Sequence, residues 1–281
     1  MDRTWRSRTV QHRIGLLVVA SIALASCAGS SSSGSSAPPT TAGSTGGASS
    51  SAGGAAACVD APPDLVRWWT FDAGDATERA QSTPMTPESG ALTAIAGQVD
   101  GGATVSGSSF VGDPPAIGTG DLSVVAWVRT SSPDSGIFLD TRSKFFATGW
   151  YFGLYEGRPV LNLRPGGDPN FFEAPNNYGT ESVADGQWHL IAGVADRAGG
   201  ETLFVDGSED VSGSPGDYPG VDLTGGPLTL GAENSGDDAP AVRAKENFAG
   251  DLDEVMVFAR ALDAAEIAAI YDAGPLGVCK P

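Results

Sequence analysis

The sequence predicts an all-β protein, a sandwich or barrel, folded as one domain over residues 58–281. Three observations carry this. From Cys58 onward, aromatic and β-branched residues come in short runs separated by Gly, Pro, Asp and Asn, the pattern of many short strands joined by turns. The length of that region, about 220 residues, suits one all-β domain. The preceding residues 28–57 are almost wholly Ser, Gly, Ala, Thr and Pro, with no charge and no aromatic ring, so they cannot bury enough apolar surface to fold.

The strands follow in order. Leu65 to Phe71 is the first, and Ala103 to Val105 and Phe110 to Val111 are short ones. Leu122 to Arg129 alternates, with Leu122, Val124, Ala126 and Val128 on one face. Ile137 to Asp140 comes next. Trp150 to Tyr155 and Pro159 to Leu163 flank Glu156-Gly157-Arg158, a hairpin turn. Trp188 to Ala195 and Glu201 to Val205 flank the loop Asp196 to Gly200, and Asp206-Gly207 supplies a further turn. Leu228 to Leu230 and Leu252 to Phe258 complete the set. One short helix is expected near the end. Asp263 and Glu266 have capping-box spacing, Ile267, Ile270 and Tyr271 form one apolar stripe, and Gly274-Pro275 stops it.

The first 26 residues read as a signal peptide. Arg3, Arg6, Arg8 and Arg13 precede an apolar run, Ile14 to Ala25, that is shorter than the roughly 20 residues a membrane span needs. Leu24-Ala25-Ser26-Cys27 resembles a lipoprotein processing box, so Cys27 is the expected lipidation site. Residues 27–57 are then a lipid-anchored flexible tether, with an r.m.s. reach of roughly 30 Å. The expected location is the cell envelope, facing away from the cytoplasm. Of the three cysteines, lipid removes Cys27 from the count. Cys58 and Cys279 remain, either as a disulfide, which an oxidising exterior favours, or as two free thiols.

The formal net charge is −18, and the leader carries four of the arginines against one aspartate. An acidic body of this kind repels nucleic acid and anionic lipid headgroups, so membrane association is expected through the lipid anchor only.

Taken in order, several segments resemble the laminin-G-like, concanavalin A-like lectin/glucanase family. These are Val66-Arg67-Trp68-Trp69-Thr70-Phe71-Asp72 and Leu122-Ser123-Val124-Val125-Ala126-Trp127-Val128, then Asp185-Gly186-Gln187-Trp188-His189 with Phe204-Val205-Asp206-Gly207. Phe248 to Val255 follows, and then Arg260-Ala261-Leu262, Glu266-Ile267 and Tyr271. The resemblance spans residues 60 to 275. It implies a two-sheet antiparallel jelly-roll sandwich with one short C-terminal helix, one sheet concave, and adjacent first and last strands. Such adjacency is what a Cys58–Cys279 bridge requires. It also implies a structural calcium near the joined termini, at positions matching Asp72 and Asp253. Both could equally serve as turn or strand-edge acceptors for backbone amides.

The same fold includes glycoside hydrolases. Their Glu-x-Asp-x-Glu strand finds its nearest counterpart in Asp251-Leu252-Asp253-Glu254-Val255, where Val255 replaces the third carboxylate and Glu254 is expected on the opposite face. His189 is the only histidine past the leader and has no nucleophile motif beside it. No enzyme is therefore expected.

Sugar binding needs exposed aromatic rings. Trp150, Phe152 and Leu154, with Leu161 and Leu163, read as core. Tyr151, Tyr155, Asn162 and Arg164 then share the other face and form a polar aromatic platform, unless loops pack over it. Trp127 shares a face with Ser123 and Arg129 and is expected to be open as well, and Asn176, Asn177 and Tyr178 could rim the site. The expected function is a surface-anchored, non-enzymatic module for a glycan or glycosylated surface. The alternatives are a protein–protein adhesion domain and a divergent glycosidase.

Overall fold

The computed structural model describes residues 57–134, 136–143, 147–166, 177–213, 218, 220–234 and 247–281. The leader, Cys27, nearly all of the tether, and Asn176 lie outside them. Among the described residues no helix is long and apolar enough to cross a membrane.

Fifteen strands and one α-helix are described. The N-terminal third holds β1 (Leu65–Trp69), β2 (Thr86–Ser89), β3 (Thr93–Ala96), β4 (Gly101–Thr104) and β5 (Ser109–Gly112). The middle holds β6 (Leu122–Arg129), β7 (Ile137–Asp140), β8 (Gly149–Tyr155), β9 (Arg158–Arg164) and β10 (Asn177–Tyr178). The rest comprises β11 (Trp188–Asp196), β12 (Gly200–Val205), β13 (Ser208–Gly213), β14 (Leu228–Leu230), β15 (Asp251–Phe258) and α1 (Ala264–Asp272).

All strand pairs in the two sheets are antiparallel. One sheet runs β13-β12-β11-β6-β15-β4-β3, with β1 also paired to β15; the other runs β10-β9-β8-β7-β14-β5-β2. The all-β, two-sheet jelly-roll sandwich with one short helix is thus the observed architecture.

Alternation builds the core between the sheets. Leu122, Val124, Ala126 and Val128 of β6 face Trp150, Phe152, Leu154, Leu161 and Leu163 of β8 and β9 in one apolar cluster. The sheets approach closely at Gly193, where a Cβ would lie 2.9 Å from the Phe152 ring and 3.0 Å from Leu161 Cβ. A larger residue there would push the sheets apart.

Turn chemistry fixes the hairpins. Glu156 and Gly157 both take positive φ (50° and 74°), as do Asp206 and Gly207 (48° and 77°), the primed two-residue turns that suit strand twist. The helix has the anticipated capping box, with Asp263 and Glu266 each bonding the other's backbone N–H. It packs on the outer face of the eight-stranded sheet, where Ile267 and Ile270 join Val125, Trp127, Leu190, Met256 and Phe258 in a second apolar cluster.

Cys58 and Cys279 are disulfide-bonded, with Cα atoms 5.0 Å apart across a separation of 221 residues. The bridge stands beside a parallel pairing of Val59 with Val278, so both ends of the domain are clasped together.

Four strands escape sequence reading: β2, β3, β10 and β13. None of them buries an alternating apolar face. β2 is fully exposed, and β3 and β13 are exposed or half-buried throughout. β2 and β3 are held by a hydrogen-bonded neighbour rather than by the core.

Candidate functional site

The outer face of the seven-stranded sheet carries the candidate site. Register aligns Thr229, Asp140, Tyr151 and Asn162 in one row across β14, β7, β8 and β9. Two residues along β8, Gly153 pairs with Val160, which also pairs with Tyr178 of β10. Tyr155 follows at the end of β8. The period of two therefore puts Tyr151, Tyr155, Asn162 and Arg164 on one face, opposite Trp150, Phe152 and Leu154.

Among the described residues only one end of this face is open. Tyr155 is 53% exposed and Tyr178 36%, and their ring centroids lie 4.9 Å apart at 39°. They form a tilted aromatic pair at the sheet edge. Tyr151, Asn162 and Arg164, expected to share an open platform, are instead buried. Tyr151 packs with Ile137 and Val160, and the Arg142 guanidinium lies 4.1 Å over its ring.

On the same face, beside Tyr151, is a buried charge cluster that sequence reading did not find. Asp140 accepts the Arg142 backbone N–H (2.8 Å), its Nε (3.0 Å) and its Nη2 (2.7 Å), and also the Asn234 backbone N–H (2.9 Å). Arg142 Nη2 also reaches Glu233 Oε1 at 2.6 Å. Burial pushes the Asp140 carboxyl up, and Arg142 only partly offsets it. Burial opposes the Arg142 charge, yet Asp140 and Glu233 outweigh it and raise the guanidinium further. Burial pushes the Tyr151 phenol up to about 12, so it stays a neutral hydroxyl. The Asp140-x-Arg142 spacing, two residues on one edge, was the one legible signal. Glu233 sits in a loop with none.

Trp127 is placed differently from the expectation. It lies on the other sheet, 3% exposed, with its ring stacked 5.8 Å from Tyr271 of α1. The helix whose stripe ends in Tyr271 covers it. Trp127 is therefore core and shares no surface with the tyrosine pair.

The proposed calcium ligands also have other partners. Asp72 binds Lys280 Nζ through both carboxylate oxygens at 2.8 Å, and the same ammonium lies 3.1 Å from Asp100 and 3.1 Å from Glu254. These contacts outweigh burial and hold the Asp72 carboxyl below the usual range. Asp253 accepts the Val99 N–H at 2.8 Å, and its other oxygen is buried without a hydrogen-bond partner. Burial pushes Asp253 up to about 8. Among the described residues no group of three or more His, Cys, Asp or Glu side chains is arranged to hold a metal. The tethered ammonium of Lys280 supplies positive charge beside Asp72, Asp100 and Glu254.

The Asp251–Val255 strand contains a bulge that alternation alone did not reveal. Pairing slips between Asp253 and Met256, and Glu254 takes φ 47°. Val255 and Val257 thereby enter the core, while the Glu254 carboxylate accepts the Trp68 indole N–H. Glu254 had been expected on the face opposite Asp253; the bulge instead brings both carboxylates to the outer side of the eight-stranded sheet. His189 braces a hairpin, 2.8 Å from Asp206 and 3.1 Å from Asp185.

Comparison with known proteins places this architecture. A family model described as the concanavalin A-like lectin/glucanases superfamily matches residues 106–268. No curated protein matches the sequence. Among solved structures, the binding domain of Paraclostridial Mosquitocidal Protein 1 aligns at 15% identity with a TM-score of 0.56 over 75% of this chain and 52% of that one. Domain 4 of AbnA, a GH43 extracellular arabinanase from Geobacillus stearothermophilus, in complex with arabinotriose, aligns at 19% identity with a TM-score of 0.55, over 75% of this chain and 98% of that one. The binding domain of Botulinum Neurotoxin DC in complex with SialylT aligns at 10% identity with a TM-score of 0.56, over 75% of this chain and 52% of that one. The chain thus spans about half the length of the toxin domains and nearly all of the arabinanase domain.

Proposed function

The chain belongs to the concanavalin A-like lectin/glucanases superfamily, and from that premise we propose that it is a non-catalytic module that binds a neutral glycan on the outer face of its seven-stranded sheet. The exposed Tyr155–Tyr178 pair carries this reading. Among the described residues these are the only large exposed aromatic side chains, and such rings stack on the apolar faces of sugars. The buried Asp140–Arg142–Glu233 network lies along the same face, beside Tyr151. Neutral ligands are favoured because the chain carries a net charge of −18. Support also comes from the similar fold of the arabinanase domain in complex with arabinotriose, a neutral sugar.

Non-catalytic action is supported by how the carboxylates are engaged. Asp251 pairs with Arg129, Glu254 with Lys280, and Asp140 and Glu233 share Arg142. Cys27, by its place after an apolar leader, is the proposed lipid attachment, and residues 28–57 are the proposed tether that carries the module off a membrane. A glycan array probed with the purified protein, beside an assay for sugar release from the ligands it retains, tests the reading. Retention without release is expected. Release of reducing sugar would make the protein a hydrolase.

A further inference from the structure

We propose that a cavity at the end of the eight-stranded sheet, separate from the tyrosine pair, is a second binding site for a single neutral polyhydroxylated ring. The cavity, about 270 Å³, is lined by residues that include Arg129, Ser131, Gly186, Ala249, Gly250 and Asp251. That volume lies just under the roughly 300–1,000 Å³ of drug-sized pockets, so it suits one ring rather than a chain.

Its polar wall is built and oriented. Arg129, the last residue of β6, pairs in register with Asp251, the first of β15. Arg129 Nε and Nη2 both reach Asp251 Oδ2 at 2.8 Å. Trp188, the neighbour of Arg129 on β11, carries the guanidinium 4.7 Å from its ring centroid. The Thr104 hydroxyl holds the other oxygen of Asp251. The donor and the acceptor are thus fixed side by side.

Two groups remain uncommitted. Nη1 of Arg129 and the hydroxyl of Ser131 make no hydrogen bond to the protein among the described residues. The opposite wall is small: Gly186, Ala249 and Gly250. A Cβ built on Gly186 would meet nothing within 4 Å, so the space beside it is open.

A donor beside an acceptor matches two neighbouring hydroxyls, one accepting from Arg129 and one donating to Asp251. The Arg129–Asp251 charges cancel locally, so the cavity has no preference for an anion. A pyranoside with adjacent free hydroxyls fits this pattern. The site stands on its own residues and does not depend on the tyrosine face. Together the two sites would let one module grip a branched or clustered glycan by avidity.

The test is amide-resolved NMR titration of the full chain with methyl α-mannopyranoside, methyl β-galactopyranoside and a trisaccharide ending in each. Saturable shifts at Gly186 and Gly250 are expected with at least one methyl glycoside. Equal response to glycoside and trisaccharide identifies a single-ring site, and a stronger response to the trisaccharide identifies the end of a chain. Ser131→Trp, which fills the cavity at an exposed position, should weaken binding at least about tenfold, as expected for loss of a pocket contact. Arg129→Lys, which keeps the charge but loses Nη1, should do the same even where Ser131→Trp folds poorly. Tyr155→Ala with Tyr178→Ala should leave these shifts within about twofold, because distant sites act independently. No shift at Gly186 and Gly250 with any of these sugars overturns the site. So does unchanged affinity in both cavity variants. Loss of the tyrosine response alone would leave it standing.

Discussion

Replacing Lys280 by Met should destabilise the protein in a pH-dependent way. The ammonium faces Asp72, Asp100 and Glu254, whose side chains are 27%, 74% and 2% exposed. Asp100 is too open to matter, and the partly exposed Asp72 pair is worth about 1 kcal/mol. Glu254 decides the rest. Burial pushes its carboxyl up to about 7, against an ordinary value of 4.5, even with Lys280 holding it down. A raised acid pKa costs stability as pH climbs from the unfolded value, and the cost stops growing above the folded value. Without Lys280 the folded value rises further, so the cost keeps growing. Near pH 5.5 Glu254 is protonated with or without Lys280 and adds no difference. Near pH 8.5 the variant has lost about 1.5 more pH units of ionisation, or about 2 kcal/mol. The total is about 1 kcal/mol at the lower pH and about 3 kcal/mol at the higher. At 2–4 °C per kcal/mol, the melting midpoint should fall by about 3 °C and about 9 °C respectively. Differential scanning calorimetry at both pH values, with calcium and with a chelator, reads this directly. The wild-type midpoint should be the same with either additive. A chelator-induced fall in the wild type, or a pH-independent effect of Lys280→Met, would refute the reasoning.

Other consequences follow from the same structure. Replacing Cys58 and Cys279 together by Ser should lower unfolding free energy by up to about 5 kcal/mol, the chain-entropy value for a loop of this size. Urea titration checks it, and an unchanged midpoint would contradict the clasp. Asp253→Asn should flatten the pH profile: the folded carboxyl titrates at about 8, so wild-type stability falls as pH rises from about 4 to about 8. The variant should gain on the wild type across that window by at most about 1.4 kcal/mol per unit, and parallel profiles would count against a buried neutral acid. Trp127→Ala should cost about 3–5 kcal/mol as a buried aromatic and should leave sugar binding intact, because the ring faces the helix.

Much of the fold was legible because the core strands alternate cleanly. β6, β7 and β14 run over the residues the sequence indicated, and the Asp263 capping box announced the helix. Edge strands were not legible, since Thr86–Ser89 and Thr93–Ala96 bury almost nothing and are set by their partners. Face assignment in β8 was correct, but period two says only which side a ring takes. Whether that side is covered depends on residues outside the strand, such as Arg142 over Tyr151. Trp127 illustrates the same limit, because its cover is a helix more than a hundred residues later. The bulge at Glu254 was hidden because one extra residue reverses every later side chain, and no turn residue marks it.

The central claim is that the Tyr155–Tyr178 pair is a glycan platform. It is tested by the affinity of the retained glycan for the wild type and for Tyr155→Ala and Tyr178→Ala, each shown folded by its melting midpoint. Stacking losses of about 1–2 kcal/mol per ring predict that each variant binds roughly five- to thirtyfold more weakly. Unchanged affinity in both variants would contradict the account.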